Sequence, residues 1–292
     1  MSGFTPALRK WAESILGPVQ DSEDASWDHG NSNVTRLGLA SGDGAYLKCY
    51  RSPGKFRQEH SAYRDWCPQL PSCAPLLGAT ETPARALVIG AMPGRPLLGQ
   101  SGDGPGTLPV TDQRWAYRQA GRFLRDLHRL SAVDSDPLPI PEAWRLRAQT
   151  WARRAGSTLS GGELEAVLEI ADSPWPEGVP LPRRVPCHRD FTERNWLVEG
   201  DQFTVIDFEH ARMDWALVDV ERALSAIPAG GAGLAEAFLE GYGCDEGVAP
   251  FQLLRRVTVV AALSQVVWAV EHSDEAFERA GRERLRRCLH GL

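Results

Sequence analysis

The spacing of apolar positions changes character about a third of the way along the chain. Residues 5–17 carry Leu8, Trp11, Ile15 and Leu16 on one face at helical spacing, which predicts a short amphipathic helix. Residues 34–39 and 45–50 are two apolar-rich runs around Ser41-Gly42-Asp43-Gly44, the pattern of a β-hairpin. Ser52-Pro53-Gly54 breaks the chain, and residues 55–66 predict a helix whose apolar points are Phe56, Tyr63 and Trp66. Residues 76–79 and 85–90 predict two further strands joined by a turn at Glu81-Thr82-Pro83. Together these elements make an antiparallel sheet of about four or five strands with one inserted helix.

Ala91-Met92-Pro93-Gly94-Arg95-Pro96 then forms a stiff, punctuated connector. The glycine-rich stretch 99–106 reads as a linker. It lacks Gly-Lys-Ser/Thr, and no strand precedes it as a phosphate loop would require. Beyond residue 111 the period becomes helical. Residues 115–130 place Tyr117, Phe123, Leu124, Leu127 and Leu130 on one face, and helices are predicted within 162–170, 217–227, 231–241, 251–271 and 274–290. Proline-rich stretches at 137–141 and 174–186 separate them. The apolar run at 257–270 is interrupted by Ser264 and Gln265 and is short for a membrane span, so a buried core helix is expected. The pattern predicts a bilobal α+β protein: an antiparallel-sheet lobe over residues 1–90, a hinge at 91–97 and a mainly helical lobe over 98–292.

A chain of 292 residues can bury a core in each of two such lobes. Its net charge of −6 argues against the broad basic face that a nucleic-acid partner needs. The six cysteines form no Cys-x-x-Cys pair, so neither a zinc site nor a redox pair is indicated. The N-terminal residues lack the apolar segment of a secretion signal, so a cytoplasmic protein with reduced thiols and no membrane partner is expected.

The chemistry concentrates in VPCHRDFTERNWLVEGDQFTVIDFEHA. Apolar runs at 197–198 and 203–206 flank Glu199-Gly200-Asp201-Gln202, a hairpin signal. Such a hairpin sets Asn195, before its first strand, beside Asp207, at the end of its second. Both offer oxygen ligands of the kind Mg²⁺ takes. Asp190 sits in the loop just before and can orient an acceptor hydroxyl. Phosphoryl transfer also needs positive charge on the donor phosphates. Lys48, on the strand at 45–50 and sharing a face with Tyr46 and Tyr50, can supply it, with Glu59 of the following helix as its partner. Asn31 and Ser32, in a turn before the strand at residue 34, are candidates to cover the phosphates. Backbone groups of Ala91 and Met92 are candidates to meet a purine edge.

These residues resemble the aminoglycoside phosphotransferase and choline-kinase-like family, the small-molecule branch of the protein-kinase-like fold. The resemblance runs from about residue 34 to 224. It rests on Lys48, Glu59, Pro93-Gly94-Arg95-Pro96-Leu97, Leu124-Arg125-Asp126-Leu127-His128, His188-Arg189-Asp190, Asn195 and Ile206-Asp207-Phe208, all in the family's order. It implies Asp190 as the residue that orients the acceptor hydroxyl, Asn195 and Asp207 as magnesium ligands, Lys48 as the clamp on the donor phosphates, and Asp219 as a brace of the catalytic loop. ATP or GTP would be the donor and a small hydroxylated molecule the acceptor. An antibiotic of aminoglycoside or nucleoside type heads the acceptors. A metabolic kinase for choline, homoserine or a thiosugar is the alternative, and a catalytically inactive kinase-fold binding protein is a second. Arg189, where the antibiotic kinases usually carry a small residue, and Glu209 after Phe208 depart from the family pattern. Glu209, Asp214, Glu271, His272, Asp274 and Glu275 are candidates to line the acceptor cleft.

Overall fold

The computed structural model describes residues 4–26, 32–98, 110–227, 231–243 and 253–290. Asn31 and the glycine-rich stretch 99–106 lie outside the described residues. The chain divides into two compact units.

The first unit comprises Met1–Ser131, Pro186–Arg212 and Arg222–Gly243. It opens with helix α1 (Pro6–Leu16), which starts where Thr5 Oγ1 accepts the amide of Leu8. A five-stranded antiparallel sheet follows, built from β1 (Val19–Asp24), β2 (Ser32–Leu39), β3 (Gly44–Tyr50), β4 (Leu76–Thr80) and β5 (Ala86–Gly90) in the order β1-β2-β3-β5-β4. Leu8 and Ala12 of α1 pack on Leu37, Ala45, Leu47, Ala86 and Val88. Strand alternation then turns Lys48 and Tyr50 of the central strand to the opposite face. There helix α2 (Pro53–Ser61) packs, with Phe56 edge-on to Tyr50 at 5.7 Å. Ser52 caps α2, which runs on through a π-helical turn at Ala62–Trp66.

The connector is anchored by a two-residue strand. β6 (Arg95–Pro96) pairs with β8 (Trp196–Glu199), and β8 pairs with β9 (Gln202–Val205) across a turn where Gly200 has φ 57°. Gly94 enters this pairing at φ 106°, and a Cβ there would fall 2.8 Å from the carbonyl carbon of Val198. Only glycine meets both conditions. Gly94→Ala is therefore expected to lower stability by about 2–4 kcal/mol through backbone strain and overpacking together. An unchanged melting temperature would show that the contact is not close. Helix α3 (Val110–Arg129) packs on α7 (Ala232–Tyr242), where a Cβ on Gly121 would lie 2.1 Å from the carbonyl oxygen of Phe238.

The second unit comprises Ala132–Val185, Met213–Glu221 and Cys244–Leu292. Its helices are α4 (Ile140–Ala155), α5 (Gly161–Ala171), α8 (Leu254–Glu271) and α9 (Glu275–His290). The expected buried helix is α8, with Val259, Val260, Leu263, Val266 and Val267 all buried. Trp144 of α4 donates its indole N–H to the carbonyl of Arg256 at 3.2 Å, and the buried Glu221 pairs with Arg284. The remaining elements are the short strands β7 (Val185–Cys187) and β10 (Arg212–Asp214) and helix α6 (Leu217–Ala226). Among the described residues no helix is long and apolar enough to cross a membrane.

Candidate active site

The loop after β7 is held by His188. The imidazole is fully buried, and its Nδ1 accepts the backbone N–H of Asp190 at 3.3 Å. That assigns the ring proton to Nε2, which donates to the carbonyl of Ile206 at 3.0 Å. One ring therefore ties the Asp190 loop to the end of β9. Arg189 turns the backbone between them at φ 66°, in the left-handed region. Further on, the Asn195 amide donates to the Thr192 carbonyl at 2.9 Å, closing a single 3₁₀ turn. The Ile206 amide donates to the Asn195 carbonyl at 3.0 Å, and the Val205 amide to Ser72 at 2.8 Å. The hairpin thus brings Asn195 beside the segment that presents Asp207. Below it, the phenol of Tyr117 donates to the buried Glu193 carboxylate.

Asp190 is 8 % exposed. Its Oδ1 accepts from Arg222 Nη2 at 3.0 Å and its Oδ2 from Arg194 Nη2 at 2.8 Å. Asn195 Nδ2 donates to the Asp190 carbonyl at 2.8 Å and to Oδ2 at 3.3 Å. Burial would raise the carboxyl, but Arg222 and Arg194 outweigh it and hold Asp190 well below the usual carboxylate range. Asp190 is an anion at neutral pH. Asn195 spends its amide protons on Asp190, which leaves its carbonyl oxygen as the atom available to a cation.

Lys48 is the centre of a second cluster. Its ammonium lies 2.8 Å from Glu59 Oε2, 2.6 Å from Asp207 Oδ1 and 3.5 Å from Glu209 Oε2. Tyr50 donates its hydroxyl to Glu59 Oε2 at 2.6 Å. Burial would strip the charge from Lys48, but Asp207, Glu59 and Glu209 more than offset that and raise its pKa. Burial pushes the Glu59 carboxyl up to about 7 against the pull of Lys48. Carboxylate oxygens of Glu59, Asp207 and Glu209 lie within 4.8 Å of one another. Three carboxylates around one ammonium leave an excess of negative charge on hard oxygen donors, and a divalent cation of the magnesium type fits that donor set. Asp207 adopts φ 68°, a conformation that aspartate and asparagine tolerate better than other non-glycine residues. If the Glu59 carboxylate serves to orient Lys48, Glu59→Gln is expected to lower turnover by about 10–100-fold and to lower the melting temperature less. Equal losses of stability and rate would make Glu59 a packing residue.

Other expected positions are placed as follows. Ser32 is buried at the start of β2, opposite Tyr50, while Asn31 lies outside the described residues. The amide of Ala91 donates to the Gly44 carbonyl at 3.0 Å and is spent within the sheet; Met92 follows it. Glu209, a candidate to line the acceptor cleft, lies 3.5 Å from Lys48. Asp214 pairs with Arg147 at 2.8 Å, Glu271 with Arg154 at 2.6 Å, and Glu275 with Arg279 at 3.8 Å. His272 stacks on Trp268, and Asp274 accepts the Phe277 amide at 2.9 Å to cap α9. Asp219 is fully buried on α6. Sequence reasoning missed Arg194 and Arg222. The first follows Asp190 by four residues and was within reach of a local reading. The second lies 32 positions away, and no sequence signal links it to Asp190.

Residues 26–254 match the family model of the phosphotransferase enzyme family. Among curated proteins no sequence matches. Solved structures share the fold. One is a thermostable mutant of aminoglycoside phosphotransferase APH(4)-Ia in ternary complex with AMP-PNP and hygromycin B. It has a TM-score of 0.72 and 16% identity, over 97% of this chain and 98% of that one. Another is the gentamicin complex of APH(2")-IIa, with a TM-score of 0.67 and 14% identity, over 98% of this chain and 97% of that one. A third is the macrolide 2'-phosphotransferase MphH from Brachybacterium faecium, with a TM-score of 0.65 and 18% identity, over 96% of this chain and 98% of that one. The architecture is that of these kinases: an α+β, protein-kinase-like fold.

Proposed function

Because the chain belongs to the phosphotransferase enzyme family, we propose that it transfers the terminal phosphoryl group of ATP or GTP to a hydroxyl of a small molecule in a Mg²⁺-dependent reaction. The observation that carries this is the convergence of Lys48, Asp207, Asn195 and Asp190 around one hairpin. Lys48, aimed by Glu59, neutralises the donor phosphates. Asn195 and Asp207 would hold Mg²⁺, which supplies neutralisation of charge on the phosphate oxygens. Asp190 accepts a hydrogen bond from the acceptor hydroxyl and fixes its line of attack. Transfer of this kind is mostly positioning and charge stabilisation, which is what a rigid hairpin with buried supports provides. Asn31, Ser32, Ala91 and Met92 remain our candidates for contacts to the nucleotide. In the same reading residues 1–90 are the nucleotide lobe, 91–97 the hinge and 98–292 the acceptor lobe.

Antibiotics are the acceptors that the related folds favour, since two of those solved structures carry hygromycin B or gentamicin. We place the reaction in the cytoplasm, where nucleoside triphosphates abound and where the five described cysteines outside disulfides are at home. An inactive binding protein would need neither the Lys48–Glu59 pair nor the tethered Asp190. The test is a ³¹P or mass-shift screen of the purified protein with ATP or GTP and Mg²⁺ against hydroxylated antibiotics and metabolites. Nucleotide binding with no phosphorylated product from any acceptor would overturn the reading.

A further inference from the structure

The catalytic carboxylate is outnumbered by cations. Arg194 and Arg222 each donate to a separate oxygen of Asp190, so two guanidiniums face one carboxylate. Together they carry one positive charge more than the carboxylate they pair with. Among the described residues most of their donors have no acceptor. A guanidinium carries five N–H groups in a fixed fork, and Arg194, with 44 % of its side chain exposed, uses one of its nitrogens on Asp190. Arg222 Nε is buried and has no hydrogen-bond partner. Lys55 and His210, 2.8 Å apart, add further basic groups to the same unit. A polycationic acceptor presenting its hydroxyl to Asp190 would meet the like charge of Arg194 and Arg222.

We propose that Arg194 and Arg222 select an acceptor that carries an anionic oxygen group, a carboxylate or a phosphate, beside the hydroxyl presented to Asp190. The inference rests on the reading of Asp190 as the residue that faces the acceptor. The free edge of the Arg194 fork takes the anion in a charge-assisted pair. The acceptor class is thereby narrowed away from aminoglycosides and toward hydroxy acids and phosphorylated or carboxylated hydroxyl compounds.

The experiment uses four sugars with closely matched hydroxyls and different charge: glucosamine, glucose, glucuronate and glucose 6-phosphate. Binding to the full chain is read by ligand-observed NMR with the nucleotide site filled by Mg²⁺ and a non-hydrolysable ATP analogue. Glucuronate, glucose 6-phosphate or both should bind about tenfold tighter than glucosamine, because like-charge contacts are costly and opposite ones are not. The two anions separate a carboxylate site from a phosphate site. Arg194→Gln should bring the preference close to unity, and Arg222→Lys, which keeps charge but not the fork, should reduce it in part. Melting curves check that both variants fold. Equal binding of all four sugars, tighter binding of glucosamine, or an unchanged order in both variants overturns the proposal. The readout needs no turnover, so failure of the phosphotransfer reading appears separately, as an analogue that does not bind or an acceptor screen without product.

Discussion

Asp190→Asn is expected to lower phosphoryl transfer by about 10²–10⁴-fold while the donor nucleotide binds almost as before. In the proposed reading Asp190 acts on the acceptor, and Lys48, Asn195 and Asp207 act on the donor. Asparagine fits the same volume and keeps one acceptor oxygen, which serves Arg194 or Arg222 but not both, so the substitution removes charge and basicity more than shape. The alanine variant, which looks structurally harmless from sequence alone, is a poorer probe. It leaves two guanidiniums facing each other without their shared carboxylate. Since Arg194 is nearly half exposed, the cost is about 1–2 kcal/mol, below that of a fully buried pair. Steady-state transfer and nucleotide titration on both variants separate the effects. Transfer within about tenfold of wild type in Asp190→Asn, little more than a kcal/mol of barrier, would remove Asp190 from the mechanism.

Much of this site was legible because its parts are local. Alternation along residues 45–50 put Lys48 opposite the α1-facing residues, and the break at Ser52-Pro53-Gly54 forced α2 back over that face with Glu59 on it. The turn at Gly200 fixed the hairpin, and the hairpin fixed Asn195 against Ile206. What escaped reading was set by tertiary packing. β1 buries only its first residue and exposes the other five, so its polar sequence shows no strand alternation. β6 is two residues long and includes a proline, which is tolerated because its partner lies on one side only. α4 starts inside a proline-rich stretch that reads as a separator, yet proline in a first helical turn costs nothing there. Glu209 reaches Lys48 after a left-handed turn at Asp207, a backbone conformation that no apolar period announces.

The metal half of the mechanism makes the second large prediction. Asp207 is the least buried member of its carboxylate cluster, with a third of its side chain exposed, and it accepts from Lys48 at 2.6 Å. Asp207→Asn keeps that acceptor and tolerates the left-handed backbone, so the fold should stand. The substitution removes one anionic ligand from a hard divalent cation and leaves Glu59 and Glu209 as the remaining charges in the cluster. Loss of an outer partner of a metal ligand typically costs about 10–100-fold in affinity or activity, and a direct ligand should cost at least that. Nucleotide affinity measured across a Mg²⁺ titration should therefore fall by about 10²-fold in the variant and lose most of its metal dependence. Glu209→Gln serves as the comparison. If Glu209→Gln abolishes the metal dependence and Asp207→Asn retains it, the ligand is the carboxylate two residues further on. In that case the 2.6 Å contact of Asp207 with Lys48 is its working state and not one that metal binding displaces.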